Sequence, residues 1–425
     1  MTDLRTLDAG ALRALRQDLL ARYDAFRARG LTLDMTRGKP SPEQLDLSLP
    51  MFANAETQYL SESGIDCRNY GGLDGLPEAK RLFAEYLGVA TDEVIVGGAS
   101  SLAMMYETIV RAVIFGVPGG AGPWGQRETK FLCPCPGYDR HFAICEELGI
   151  GMVPIALYDD GPDMDAIEDL VARDSAIVGI WCVPKYSNPT GTVYSDAVVE
   201  RLARMETATP DFRIFWDNSY AVHSFDGEPA PLRNLLEACV AAGHPERALI
   251  YASTAKITFA GAGVSAMAAS RVNVTWSLRH MGIQTIGPDK LNQLRHVQFL
   301  RDMPTILAHM ARHAAIMKPK FDAVQTVLGR ELGGKGIAHW TNPAGGYFVS
   351  LDTMDGCATE VIRIAAEAGV RLTPAGSTFP YRRDPRDRNI RIAPSFPAQK
   401  EVEMAMELLA VCILLVSIDR LLAQA

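Results

Sequence analysis

Short apolar runs rich in β-formers alternate with longer stretches of helical periodicity through the middle of the chain. The runs are Val94-Ile-Val, Lys130-Phe-Leu-Cys, Ala176 to Cys182, Arg213-Ile-Phe-Trp and Leu249-Ile-Tyr. Runs of this length, separated by segments that repeat every three to four residues, predict a mostly parallel sheet covered by helices. After about residue 310 the pattern becomes a long helix, a strand-like Gly346 to Leu351, a helix over 358–368, a Pro/Gly-rich loop over 373–380, a short strand at Asn389 to Ala393 and a closing helix. This predicts a large unit over 67–310 and a smaller α+β unit formed by 1–66 and 311–425, the N-terminal segment having no core pattern of its own.

Composition narrows the class without naming an activity. The 425 residues are 48% hydrophobic, enough for a sizeable core, and 42 basic against 50 acidic side chains leave a net charge of −8. That balance supplies no basic field for nucleic acid or an anionic membrane. The longest apolar run, Leu408 to Val416, is far short of the roughly 20 residues a spanning helix needs, and residues 1–30 lack the apolar stretch of a signal peptide. A cytoplasmic location is expected. Eight cysteines without a Cys-x-x-Cys pair, and His309 and His313 without a neighbouring carboxylate motif, argue for no metal site and no disulfide framework.

In an open parallel sheet, ligands bind beyond the carboxyl ends of the strands, and there the sequence carries chemistry. One run ends in Asp217-Asn-Ser-Tyr220, the next in Ser253-Thr-Ala-Lys256, a third leads to Asn188-Pro-Thr-Gly191, a fourth to Pro136-Gly-Tyr138-Asp-Arg140-His141, and a fifth to Gly97-Gly-Ala99-Ser100-Ser101 before a helical pattern. Taken singly, Asp217 reads as well as a cap or turn residue, and Asn-Pro-Thr-Gly as a turn. A lysine at a buried strand end can lose its proton more readily and attack an aldehyde. Small residues at a helix start suit a phosphate, which meets open backbone N–H groups and the helix dipole.

The ordered set of Tyr70, Gly97 to Ser101, Tyr138, Asn188-Pro-Thr-Gly191, Asp217-x-x-Tyr220, Ser253-x-x-Lys256 and Arg391 resembles the class I aminotransferases of fold type I, which depend on pyridoxal 5'-phosphate. The resemblance implies a seven-stranded, mostly parallel sheet between helices plus the smaller domain. It implies that Lys256 holds the cofactor as a Schiff base and later acts as the base at the substrate Cα, and that Asp217 pairs with the pyridine nitrogen. Further implied roles are His141 buttressing Asp217, Tyr138 stacking on the ring, Asn188 and Tyr220 on the phenolic oxygen, and Ser253, Ser100, Ser101 and the amides around Ala99 on the phosphate. Arg391 would bind the substrate α-carboxylate, Gly38 would let the backbone approach the substrate, and Tyr70 would cross to the neighbouring subunit's phosphate, making a homodimer with shared active sites.

Two features refine the resemblance. The family usually has a phosphate-gripping arginine eight residues after the lysine, where this chain has Val264. That departure, with the Ser253 to Val264 and Pro136 to Phe142 segments, resembles the bacterial type Ic aspartate aminotransferases. The expected reaction is amino transfer from L-aspartate to 2-oxoglutarate by a ping-pong mechanism, yielding oxaloacetate and L-glutamate. Kynurenine, aromatic amino acids or alanine as donors, or lyase chemistry on the same scaffold, are the alternatives. A dicarboxylic substrate needs a second cation, because burying an unpaired carboxylate is costly, and Arg140 is the candidate.

Overall fold

The computed structural model describes residues 2–52 and 59–424. The large unit is built on an eight-stranded sheet whose strands, in chain order, are β1 (Val94–Val96), β2 (Lys130–Cys135), β3 (Gly151–Tyr158), β4 (Gly161–Pro162), β5 (Ile177–Cys182), β6 (Arg213–Asp217), β7 (Ala248–Ser253) and β8 (Ser265–Ala269). Their spatial order is β1-β8-β7-β6-β5-β2-β3-β4. The run β7-β6-β5-β2-β3 is parallel throughout, while β8 lies antiparallel to both β7 and β1. The seven strands expected are extended by the two-residue β4 at the edge.

The central strands are apolar without a break because both faces are covered. In β6, Ile214 and Trp216 enter one core while Phe215 enters the other; in β5, Ile177 and Ile180 enter the first, Val178 and Trp181 the second. In β6 this is the alternation of side chains between the two faces of a strand; in β5 the alternation is reset beside Val178, where the register with β2 shifts. Gly179 in β5 is dictated by the same packing, since a Cβ there would collide with the Phe131 ring.

The smaller unit contains the antiparallel sheet β9 (Ala338–Trp340), β10 (Val349–Thr353) and β11 (Asn389–Ile392) in that order. Around it pack α1 (Ala9–Ala28), α4 (Met303–Leu332) and α5 (Gln399–Gln424); in the large unit α2 (Ser101–Phe115) and α3 (Asp139–Glu147) follow β1 and β2. The apolar positions Leu12, Leu19 and Tyr23 of α1 share one core with Met317, Phe321 and Val324 of α4 and with Leu408 to Leu415 of α5. Asp8 starts α1 by accepting a hydrogen bond from the Ala11 amide at 2.8 Å. Among the described residues no helix is long and apolar enough to cross a membrane, no group of His, Cys, Asp and Glu could hold a metal ion, and all eight cysteines are free and buried.

Candidate active site

Because β7, β6, β5 and β2 are neighbours and run the same way, their carboxyl ends open on one side of the sheet. Lys256, Asp217, Asn188 and Tyr138, which follow those ends, therefore converge although they are far apart in sequence. With Ala99, Ser100, Ser101, Ser219, Tyr220 and Ser253 they line a single cavity of about 180 Å³.

Asp217 is the buried anion of this cavity. Its Oδ2 accepts a hydrogen bond from His141 Nε2 at 3.1 Å, and its Oδ1 accepts one from the Ser219 hydroxyl. Burial alone would push the carboxyl pKa up, but His141, Ser219 and the charge of Lys256 outweigh it, so the group stays below the ordinary carboxylate value. His141 is fixed in turn: its ring stacks on Trp181 at 4.2 Å with 6° between planes, and the edge of Tyr138 meets it at 4.9 Å.

Lys256 shows the opposite balance. Burial pushes its ammonium pKa down, and Asp217 pulls it only partly back. The amine lies 4.9 Å from the centre of the buried Tyr220 ring. The backbone that carries it is pinned from behind, its carbonyl facing His223 Nε2 at 3.3 Å and the Tyr347 hydroxyl at 3.5 Å. Burial pushes the Tyr138 phenol up to about 12, with Asp217 and Asp139 adding to the effect.

At the other end of the cavity, Ser100 caps α2, accepting from the Ala103 amide at 3.3 Å, so the first amides of a four-turn helix face the space. Ser253 donates to the Ala99 carbonyl at 3.4 Å, tying β7 to that loop. Val264 is buried in the core beside Ala266, and its backbone pairs with Thr254; as a valine it brings no cation to the cavity.

Arg391 projects from β11, which pairs with β10. Its guanidinium is only 6% exposed, donates to Asp139 Oδ1 at 2.8 Å, Asn188 Oδ1 at 3.4 Å and Thr373 Oγ1 at 3.3 Å, and lies 5.0 Å from the centre of the Phe348 ring. Gly38 packs against that same ring, where any Cβ would strike it. Phe348 thus joins the N-terminal segment to the arginine.

Of the expected residues outside the cavity lining, His141 and Arg391 join it through Asp217 and Asn188, and Gly38 through Phe348 and Arg391, whereas Arg140 and Tyr70 stand apart from the cavity. Arg140 is exposed on the first turn of α3 and does not line it, although its charge reaches the Tyr138 phenol. Tyr70 is 83% exposed, on a segment held by Lys290, whose ammonium donates to the Asn69 and Gly71 carbonyls at 2.6 and 2.7 Å. Sequence reasoning missed Ser219, Trp181, His223 and Asp139. Ser219, inside the Asp217 to Tyr220 motif, and Asp139, inside the Pro136 to His141 motif, carried a signal; Trp181 and His223 become visible only when distant segments are brought together.

The donor set suits pyridoxal phosphate: a buried ionised carboxylate for the ring nitrogen, an amine for the aldehyde, Asn188 and Tyr220 for the phenolic oxygen, and a helix start with two hydroxyls for the phosphate. Comparison with known proteins points the same way. The family model described as "Aspartate amino-transferase" matches residues 7–425. A Mycolicibacterium smegmatis protein named as an aminotransferase is 50% identical over 418 residues, covering 96% of this chain and 98% of its own. The aspartate aminotransferase of Corynebacterium glutamicum is 44% identical over 418 residues, covering 98% of this chain and 96% of its own. The crystal structure of an aspartate transaminase from Corynebacterium glutamicum superposes with a TM-score of 0.97 at 43% identity, covering 99% of each chain.

Proposed function

Since this chain belongs to the aspartate aminotransferase family and is an aminotransferase, we propose that it uses pyridoxal 5'-phosphate to move the amino group of L-aspartate to 2-oxoglutarate in a ping-pong cycle. The observation that carries the reading is the meeting of Lys256 and Asp217 in one small cavity, with the buried Arg391 touching Asn188 at its wall.

Bound cofactor supplies an electron sink for the bond broken at the substrate Cα. Asp217, held ionised, keeps a proton on the pyridine nitrogen, and His141 and Ser219 hold that carboxylate in place. Lys256 anchors the cofactor aldehyde. As a buried amine of lowered pKa, it would take a proton from the substrate Cα and deliver it to the cofactor side of the transfer. Asn188 and Tyr220 would hydrogen-bond the phenolic oxygen, Tyr138 would pack on the ring, and Ala99, Ser100, Ser101 and Ser253 would hold the phosphate, with no arginine at 264. Arg391 takes the α-carboxylate, a planar anion matched to a guanidinium fork, while Gly38 admits the backbone beside Phe348. Arg140 is the candidate cation for the second carboxylate, from an exposed position beside Tyr138 that does not line the cavity. Tyr70 reaches the phosphate of a second copy of the chain in a homodimer.

A panel of amino donors with 2-oxoglutarate tests the substrate. Aspartate should give the highest kcat/KM, with one 2-oxo acid formed per new amino acid; release of ammonia or carbon dioxide instead would indicate a lyase. Arg140→Ala should raise KM for aspartate and glutamate about two- to fivefold, the range for a solvent-exposed ion pair, and spare neutral donors. Equal losses for all donors would remove Arg140 from this role.

A further inference from the structure

The guanidinium of Arg391 already holds a carboxylate. Asp139 Oδ1 accepts from one of its terminal nitrogens at 2.8 Å, although the two residues are 252 positions apart. The asymmetry between the partners is informative: Arg391 is 6% exposed at its side chain and Asp139 is 33% exposed, so the anion can move toward solvent while the cation cannot. The remaining contacts of the fork are neutral oxygens of Asn188 and Thr373, and Arg391 Nε is buried with no partner. A buried cation with one unmet donor and one removable anion is satisfied only in part, and a second, better-fitting carboxylate can complete it.

We propose that Asp139 is an internal stand-in for substrate: it occupies Arg391 in the substrate-free site and yields when the α-carboxylate of an amino or 2-oxo acid arrives. The inference rests on the assignment of Arg391 to that carboxylate. Asp139 neutralises a cation that would otherwise be buried alone, which keeps inorganic anions from settling there. Its cost is a lowered apparent affinity, since substrate binds only the fraction of molecules in which the arginine is free. Asp139 also sits in the first turn of α3, where an acid suits the helix dipole. That role alone would affect melting temperature and leave anion affinity untouched.

The test uses the holoenzyme and succinate, a dicarboxylate with no amino group to transfer. Binding is measured by calorimetry for wild type, Asp139→Asn, Asp139→Ser and Arg391→Lys, alongside KM and kcat for aspartate. Removal of the internal competitor should tighten succinate about three- to tenfold in both Asp139 variants, with KM for aspartate falling in step, while Arg391→Lys weakens succinate. If Arg391→Lys weakens succinate but the Asp139 variants bind it equally or less well, Asp139 merely orients the arginine and the proposal is overturned. If Arg391→Lys leaves succinate affinity unchanged, the assignment of Arg391 itself fails and the proposal falls with it.

Discussion

Lys256 and Asp217 are adjusted in complementary directions by one small volume. Burial disfavours both charges, but the carboxylate is rescued by a histidine and a serine, whereas the amine has only the carboxylate itself and a phenol ring beside it. The consequence is a firm anion and a reluctant cation, the combination needed for a fixed partner and a proton carrier. Replacing Lys256 by alanine should abolish the visible absorbance of the lysine-bound cofactor and lower transamination by at least roughly 10³-fold, the range for loss of a positioned base. Absorbance spectra and single-turnover assays check both; a variant retaining either signal would displace Lys256 from its place. In the proposed cycle the serines and amides at the start of α2 would carry the phosphate, since position 264 is a valine buried in the core.

The pH response is a property of an element. Helix α4 carries His309 and His313 into the interior, where His313 Nδ1 faces Gln44 at 3.1 Å and His309 Nε2 faces the Ile257 carbonyl at 2.8 Å, one residue beyond the lysine. Burial, reinforced by the charge of neighbouring histidines, lowers His313 from 6.5 to about 3; burial, reinforced by Lys256, does the same to His223. Below 6.5 the unfolded chain binds protons that the folded chain refuses. Stability contributed by these neutral rings is therefore complete above that pH and is lost as pH falls, at about 1.4 kcal/mol per pH unit for each group. Urea unfolding at fixed protein concentration should show a lower midpoint at pH 5.5 than at pH 7.5, and His313→Gln should reduce the difference by one group's share. A pH-independent midpoint would contradict the buried neutral state. Elements also show how far sequence can be read. The strand ends were legible because each motif is local: Asp217 to Tyr220, Ser253 to Lys256 and Asn188 to Gly191 each lie within a few residues. Strand β8, Ser-Ala-Met-Ala-Ala, was not, since its residues have little strand preference and only burial between β7 and β1 makes them a strand. The Trp181 stack on His141 and the Asp139 pair with Arg391 were hidden for a related reason: neither partner's neighbours in sequence hint at the other.

On the scale of the whole molecule, the site lies at the junction of two bodies, the large sheet giving Lys256, Asp217 and Asn188 and the smaller unit giving Arg391 and Phe348. Several large apolar side chains on this surface are exposed. Tyr70, Ile283 and Ile286 are 83%, 92% and 63% exposed, and Gly287 packs against the Gly71 backbone, so these side chains belong to one neighbourhood. A patch of large apolar groups at this exposure marks an interaction surface, and a second copy of the chain is the proposed occupant. Lys290 clasps the carbonyls on either side of Tyr70 and so fixes the backbone that carries it. Tyr70→Phe should weaken cofactor binding by about tenfold or more, the loss of a hydrogen bond to a charged group. Shared sites make a stronger demand. A mixed dimer of Tyr70→Phe and Lys256→Ala chains contains one site with both an intact lysine and the partner chain's intact tyrosine, so co-refolded mixtures assayed at limiting cofactor should exceed the summed activity of the two variants alone. If the mixture shows only that sum while light scattering reports twice the chain mass, the sites are not shared, and Tyr70 serves its own subunit or none.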